Sequence, residues 1–284
     1  MHIYTNVTLF VRALLQDAAF SEAASALWNG QPISLEGIAG SSCALAAAAL
    51  FQHGSGSMIL VTPTADAAEQ IAEDIALFLP PSAVCRPSSA MPEYRINDNV
   101  LLFPPVTQHD HESESALAIA DESFGERICV LKRLMNHATP RFIIVVSMPA
   151  LLQPVPPPPL LKERTQTLAV NSRVDLESLR RFLAEGGYHS TTAVDLPGEF
   201  AVRGYILDLF APDWDQPVRV EFFNDEIESI RRFDLTTQRS LENIPEIDLT
   251  RLQPYECAGA SLLDYVLPST PIVLIEPAAQ ERGA

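Results

Sequence analysis

A short apolar run is the feature of this sequence that most restricts its fold. Residues 142–146 are Phe-Ile-Ile-Val-Val, without a single polar side chain, which is the pattern of a strand buried on both faces. A similar run, Met58–Val61, ends at Thr62 and Pro63. Strands of this kind occur in parallel sheets, whose crossover connections place helices on both faces. The sequence therefore predicts an α/β domain built around a parallel sheet.

Further helices and strands alternate with these two runs. The predicted helices are residues 8–28, residues 43–50, a helix capped by Thr64 that carries Ile71, Ile75, Phe78 and Leu79, and a helix that carries Phe124, Ile128, Leu131, Leu134 and Met135. The further predicted strands are residues 33–38 and 100–103. A last apolar run, residues 271–276, predicts that the chain returns to the first sheet.

A proline-rich stretch, residues 154–159, separates this pattern from a different one. Five of its six residues are proline, which predicts a stiff, extended connector rather than a regular element. We therefore predict an α/β domain at 1–155, an inserted α+β domain at 156–255 and a return to the first domain at 256–284. The chain is expected to end inside this returning part.

The inserted segment is predicted to contain one helix and an antiparallel sheet. The helix covers about residues 175–184 and ends at Gly186 and Gly187. The predicted strands are 192–196, 200–210, 218–223 and 226–233. Asn224 and Asp225 separate the last two strands as a two-residue hairpin turn of the kind that tolerates positive φ.

Charge and cysteine content argue against several classes of function. The chain has 19 Lys and Arg against 36 Asp and Glu, a net charge of −17, which disfavours nonspecific binding to nucleic-acid phosphates. No apolar run approaches the roughly 20 residues of a membrane helix, and the first residues lack the pattern of a secretion signal. The scattered cysteines are typical of reduced thiols in a cytoplasmic protein rather than of disulfides or a zinc site. They are Cys43, Cys85, Cys129 and Cys257.

The segment Gly37–Ala44 stands where a phosphate-binding P-loop would lie, between a predicted strand and a predicted helix. Gly37 fits the first glycine of that motif, and Gly40 lies within the loop. The departures from the motif are Ser42 for the second glycine, Cys43 for the lysine that reaches the phosphates, and Ala44 for the hydroxyl that holds Mg²⁺. We interpret the segment as a tight turn, a degenerate and non-functional nucleotide site.

Other candidates for chemistry are few. His109-Asp110-His111-Glu112 has the residue types of a metal site, but no companion cluster accompanies it, and we interpret it as a solvated loop. Ser147 ends a predicted strand where a nucleophile would lie, yet no neighbouring glycine allows the sharp turn that a nucleophile needs. We therefore predict no catalytic residue and no metal site.

The strand at 218–223 has two faces of different chemistry. Alternate residues of a strand point to opposite sides, so Val218, Val220 and Phe222 form an apolar face, and Arg219, Glu221 and Phe223 form the other. Arg203, in a preceding strand, reaches the second face if the two strands pair. Arginine with an exposed aromatic ring is the composition of a protein-binding hot spot. The alternative is that Phe223 packs under a loop and both arginines form surface ion pairs.

The same residues carry a family resemblance. The runs GEFAVRGYILDLFAP at 198–212 and PVRVEFFNDEIESIRRFDLTTQRSLE at 217–242 resemble the N-terminal region of bacterial transcription-repair coupling factors, which is itself similar to the nucleotide-excision-repair protein UvrB. The resemblance extends more weakly over the whole chain. It implies a UvrB-like fold with a P-loop that is non-functional at Gly37–Ala44, and an inserted domain that binds UvrA.

The resemblance also implies which residues contact UvrA and what that contact achieves. The matching positions are Arg203, Arg219 and Phe223, whose guanidinium groups would meet carboxylates of UvrA around an aromatic anchor. Binding would recruit nucleotide excision repair to RNA polymerase stalled at a DNA lesion. Two departures from the family pattern are Tyr205, where a small residue is more usual, and Asn224 in the hairpin turn.

The family's RNA-polymerase-interacting domain and its DNA translocase, which uses ATP and Mg²⁺, have no counterpart in these 284 residues. We therefore expect this segment to have no ATPase activity and no cofactor, and to contact neither RNA polymerase nor double-stranded DNA by itself. Two alternatives stay open at this point. The segment restrains the translocase motor as a structural, autoinhibitory module, or it is a nucleotide-binding P-loop protein.

Overall fold

The computed structural model of the chain describes residues 3–80, 99–106, 122–136, 141–251 and 259–275. The helices are α1 (Ile3–Gln16), α2 (Ala18–Trp28), α3 (Ser41–His53), α4 (Ala65–Phe78), α5 (Glu122–Met135), α6 (Met148–Leu152), α7 (Pro158–Glu163) and α8 (Leu176–Glu185), with a 3-10 helix at Leu262–Tyr265. The strands are β1 (Met58–Thr62), β2 (Val100–Phe103), β3 (Ile143–Ser147), β4 (Thr165–Ala169), β5 (His189–Ser190), β6 (Glu199–Arg203), β7 (Ile206–Phe210), β8 (Val218–Phe223), β9 (Glu226–Phe233), β10 (Ser240–Asn243), β11 (Glu246–Thr250) and β12 (Ile272–Leu274).

Three apolar runs of the first half and the last apolar run of the chain form a four-stranded parallel sheet in the order β12-β1-β3-β2. Every residue of β1 and β3 is buried, including the polar Thr62 and Ser147 at their ends, as the apolar runs in these strands predict. Strand β12 pairs with β1, with Leu60 opposite Val273. The chain therefore does return to the first sheet after the long segment between β3 and β12.

Helices cover both faces of this sheet. On one face α3 contributes Ala44 and Ala46–Ala49 to a core that also contains buried residues of β1 and β3, and the small methyl side chains allow this helix to lie close to its neighbours. On the other face α5 contributes Phe124, Ile128 and Leu131 to a second core. The mixed α/β architecture predicted from the alternating pattern is confirmed.

The middle of the chain forms two further sheets. One has six strands in the order β10-β9-β8-β7-β6-β5, antiparallel except for the β5–β6 pair. The other is the antiparallel pair β11-β4. Leu179 and Leu183 of α8 pack against the apolar face of the six-stranded sheet. Its opposite face carries the polar residues considered below.

Helix α5 joins the two parts of the structure. The Lys132 Nζ donates to Asp213 Oδ2 at 2.6 Å and to the Asp248 carbonyl at 2.9 Å. Gly125 lies so close to Pro212 that a Cβ atom at this position would overlap the Pro212 carbonyl oxygen. A glycine is therefore required here by the close approach of two backbones.

Two predicted strands are absent. Residues 33–38 pair with no described strand, and Ile33 and Leu35 instead pack as partly buried side chains against the first core. In 192–196, the backbone N–H groups of Asp195 and Leu196 donate to the Glu199 carboxylate. These donors are satisfied by a side chain, so the segment is irregular and leads into the turn at 197–198, although its apolar residues resemble those of a strand.

Three other predicted elements are divided or altered. The helix predicted at 8–28 is interrupted at Asp17, whose side chain accepts a hydrogen bond from the Phe20 N–H and begins α2. The predicted strand 200–210 is a hairpin that turns at Gly204, where φ is +62°. The proline-rich connector is only partly extended, because α7 begins at Pro158, in the first helical turn, where proline loses no hydrogen bond.

Candidate functional site

Strand β8 alternates between a buried and an accessible face, as its sequence predicts. Val218, Val220 and Phe222 are buried in the core of the six-stranded sheet, whereas Phe223 has 70% of its surface exposed. Phe223 is the last residue of the strand and precedes the turn. Phe223 is therefore not packed under a loop of the described residues, as the alternative interpretation had proposed.

Arg219 is held in place by a buried carboxylate. Its Nε donates to Asp208 Oδ1 at 2.6 Å and its Nη2 donates to Oδ2 at 2.9 Å. Asp208 lies directly opposite on β7 and is 3% exposed. The guanidinium also stacks on the Phe233 ring at 4.8 Å. Hydrogen bonding to Asp208 raises the pKa of Arg219, although partial burial opposes this. The charge of Arg219 is thus balanced within the domain.

Arg203 has a different environment. It is the exposed last residue of β6, and its Nε and Nη2 donate to the Thr192 carbonyl oxygen, the former at 3.1 Å. Among the described residues it forms no ion pair. The side chain is therefore oriented by the backbone, and its charge is available to an external carboxylate.

The structure corrects the expected strand pairing. Strands β6 and β8 do not pair, because β7 lies between them. The register nevertheless places Arg203 opposite Ile206, and Ile206 opposite Glu221. Residues directly opposite one another in an antiparallel sheet point to the same side. One face of the sheet thus carries Arg203, Arg219 and Phe223. The backbones of Arg203 and Glu221 are about 10 Å apart, which is two strand spacings.

Glu221 and Arg231 extend the ionic contacts across this face. The Arg231 guanidinium forms an ion pair with Glu221, and Ser229 Oγ donates to Glu221 Oε2 at 2.9 Å. Arg231 also lies directly opposite Arg219, a like-charge pair that is unfavourable by itself. Because Asp208 and Glu221 flank the two arginines, the charges balance. We call the surface formed by Arg203, Arg219, Glu221 and Phe223 the docking face.

The hairpin turn beside Phe223 is held from its other side. Asn224 has a φ of +55° in the two-residue turn, as predicted from its sequence. The Val174 N–H donates to the Asp225 carbonyl at 2.7 Å, and the Asn171 N–H donates to the Ile227 carbonyl at 2.8 Å. The loop before α8 therefore limits movement of the turn that presents Phe223.

Sequence reasoning missed Asp208 and Arg231. Asp208 is the only charged residue of its strand, Ile-Leu-Asp-Leu-Phe, and a carboxylate within a buried strand requires a partner. That signal is present in the sequence and predicts a cation nearby. The identity of the cation is not visible there, because it depends on which strand lies alongside.

The degenerate loop lies apart from the docking face, at the start of α3. Gly37 and Gly40 both have positive φ, and Gly40 is the residue before the helix. Among the described residues that precede this loop, 3–36, no strand is present, unlike the strand–loop–helix arrangement that was predicted. The Ser41 hydroxyl donates to Asp74 Oδ2 at 2.7 Å, which places a carboxylate near the helix N-terminus. Burial raises the pKa of the Cys43 thiol. The P-loop interpretation itself, which also involves Ser42 and Ala44, stays a prediction.

The remaining candidates have modest structural roles or lie outside the described residues. Ser147 is fully buried and its Oγ accepts a hydrogen bond from the Ala150 N–H, so it caps α6. Residues 109–112, Cys85 and Cys257 are outside the part of the chain that the structure describes. Within that part, no group of three or more His, Cys, Asp or Glu residues is placed to hold a metal ion. No described helix is long and apolar enough to cross a membrane.

Comparison with known proteins places this face within a recognised domain. Residues 167–255, which include the whole docking face, match the family model of the UvrB interaction domain. Curated transcription-repair-coupling factors match most of the chain. The predicted resemblance to transcription-repair-coupling factors is confirmed.

Three transcription-repair-coupling factors illustrate the extent of the match. The Myxococcus xanthus protein is 32% identical over 232 residues, which are 81% of this chain and 18% of that protein. The Bacillus subtilis protein is 29% identical over 215 residues, 76% of this chain and 16% of that protein. The Mycobacterium tuberculosis protein is 32% identical over 234 residues, 81% and 17% respectively. The chain thus spans less than a fifth of the length of these coupling factors.

Proposed function

We propose that this chain binds UvrA through the docking face and thereby helps to recruit nucleotide excision repair to RNA polymerase stalled at a DNA lesion. The observation that carries this proposal is the exposure of Phe223, 70% accessible at the end of β8 within the matched UvrB interaction domain. An exposed aromatic ring beside an arginine is the arrangement from which protein-binding hot spots are usually built.

The two arginines have different roles in this proposal. Arg203 supplies a charge that no described side chain neutralises, and it pairs with a carboxylate of UvrA. Arg219 is already bound by Asp208 and stacked on Phe233, so it shapes the surface next to Phe223 more than it supplies free charge. Net electrostatic attraction to UvrA therefore depends mainly on Arg203.

The ionic contacts beneath the docking face also favour binding by limiting its motion. Arg219 is bound at two nitrogens, Glu221 is bound by Arg231 and Ser229, and the loop at 171–174 supports the turn. Side chains that are ordered before association lose less conformational entropy when they bind. A rigid face of this kind suits an aromatic anchor that enters a pocket of the partner.

We assign the remaining functions of a coupling factor to regions outside this chain. In this proposal RNA polymerase, double-stranded DNA, and the ATP and Mg²⁺ of a motor belong to those regions, and the present segment binds UvrA without a cofactor and without catalysing a reaction. The net charge of −17 accords with a protein partner rather than a phosphate backbone.

The proposal is tested by calorimetric titration of the 284-residue chain with purified UvrA. We expect saturable binding, a loss of about 30-fold for Phe223→Ala, which corresponds to about 2 kcal/mol, and a clear loss for Arg203→Ala. Leu241→Ala is the matched control, because Leu241 is also an exposed apolar side chain, 51% accessible, but lies on the edge strand β10. A folded wild-type chain that does not bind, or a Phe223→Ala variant that binds as the control does, contradicts the proposal.

A further inference from the structure

A second large aromatic side chain lies at the same end of the sheet as Phe223. Tyr205 is 63% exposed in the turn between β6 and β7. The Phe222 N–H donates to the Tyr205 carbonyl oxygen at 2.9 Å, so this turn is bound to the last residues of β8. Tyr205 is thus adjacent in space to Phe222, although it lies 17 positions earlier in the sequence.

The local backbone presents Tyr205 rather than burying it. Gly204 has a φ of +62° and no atom within 4 Å of where its Cβ would lie, so the turn projects from the sheet. Among the described residues the Tyr205 hydroxyl has no hydrogen-bond partner. A tyrosine that keeps both its ring and its hydroxyl accessible offers apolar area and a polar group to the same partner.

The position of Tyr205 relative to the arginines distinguishes it from other exposed apolar residues. A single exposed apolar side chain needs no explanation in a folded protein. Here one exposed aromatic ring lies in the β6–β7 turn and the other directly before the β8–β9 turn. Arg203, the unneutralised cation of the docking face, is separated from Tyr205 by Gly204 alone. Aromatic residues and arginine clustered on one surface are enriched at binding hot spots.

We propose that Tyr205 is a second aromatic anchor of the UvrA-binding surface, which therefore extends from the β8–β9 turn to the β6–β7 turn. This inference rests on the proposed function. The complementary surface of UvrA must accept two aromatic rings and place a carboxylate next to Arg203. The hydroxyl of Tyr205 donates to an acceptor of the partner, while its ring supplies most of the contact area.

The experiment compares the binding of UvrA by four forms of the 284-residue chain. These are the wild type, Tyr205→Ala, Tyr205→Phe and Leu196→Ala. Leu196 is a suitable control because it is 59% exposed and lies before the opposite end of β6. We expect Tyr205→Ala to weaken binding about tenfold or more, Tyr205→Phe to weaken it less, and Leu196→Ala to leave it unchanged. Each variant is also compared by thermal unfolding, which should not change for these exposed positions.

The possible results separate this inference from the proposed function. If Phe223→Ala weakens binding but Tyr205→Ala binds as Leu196→Ala does, the role of Tyr205 is disproved and the proposed function stands. If the folded wild type does not bind UvrA, both are disproved. A loss with Tyr205→Ala that is restored in Tyr205→Phe supports the ring as the main contact.

Discussion

Asp208 lies directly opposite Arg219 on the neighbouring strand and accepts two hydrogen bonds from its guanidinium, at 2.6 and 2.9 Å. The pair connects the interior of the six-stranded sheet to its docking face, because Asp208 is almost fully buried while Arg219 is partly accessible. Asp208 therefore lies in the interior of the domain, whereas Arg219 forms part of its accessible surface.

Replacement of Arg219 should destabilise the domain. In Arg219→Ala the Asp208 carboxylate stays buried without its counter-ion, and we expect the free energy of unfolding to fall by about 3 kcal/mol. Arg203→Ala, at an exposed position with only a backbone acceptor, should change it by less than about 0.5 kcal/mol. Urea unfolding followed by circular dichroism measures both. Equal effects of the two substitutions would show that the Asp208 pair contributes little.

This difference matters for the interpretation of binding experiments. A loss of UvrA binding in Arg219→Ala combines a changed surface with a weakened domain, whereas the same loss in Arg203→Ala reports on the surface alone. Arg219→Lys keeps the charge but not the two-nitrogen contact. We expect it to bind UvrA less well than the wild type does, by calorimetric titration at a temperature where it is fully folded.

The junction between α5 and the six-stranded sheet should not tolerate a methyl group at Gly125. An alanine in a helix ordinarily stabilises it by about 1 kcal/mol relative to glycine. Here the added Cβ would overlap the Pro212 carbonyl oxygen, which is backbone and cannot rotate away. We expect Gly125→Ala to lower the free energy of unfolding by about 1–3 kcal/mol despite the gain in helix propensity. Stabilisation in a thermal melt would contradict the packing seen here.

Stability should decrease at alkaline pH because Cys129 is buried at the same junction. Burial raises the pKa of this thiol from 9.0 to about 12, with the Asp213 carboxylate adding to the effect. The folded state thus favours the protonated thiol. The stability from this group is complete below pH 9 and is lost as the pH rises from 9 to about 12, by up to about 1.4 kcal/mol per pH unit.

Urea unfolding at a series of pH values from 8 to 11 measures this effect. Cys129→Ala should show a smaller decrease than the wild type. Some decrease should persist in the variant, because burial also raises the pKa of Tyr188. If the free energy of unfolding has the same pH dependence in the wild type and in Cys129→Ala, the thiol does not contribute to the loss of stability at alkaline pH.

Local patterns in the sequence predicted the elements that depend on neighbouring residues. The buried strands β1 and β3 and the two faces of β8 follow from the pattern of apolar side chains along each strand. The turn at Asn224 follows from the positive φ that asparagine tolerates. The strand predicted at residues 33–38 was wrong because a local pattern does not show whether a partner strand is present. Their apolar residues do face a core, but a strand also needs a partner, and no described strand lies beside them.

The sequence by itself determined which side of β8 is apolar and therefore that Arg219 and Phe223 are directed away from the core, since that depends only on the alternation of side chains along a strand. Only the tertiary structure decided that β7 lies between β6 and β8, that Asp208 binds Arg219 while Arg203 keeps its charge, and that Tyr205 lies beside the end of β8. The physical reason is that strand order and register are set by contacts between distant segments. The pattern of side chains within one strand does not show which distant strand will pair with it.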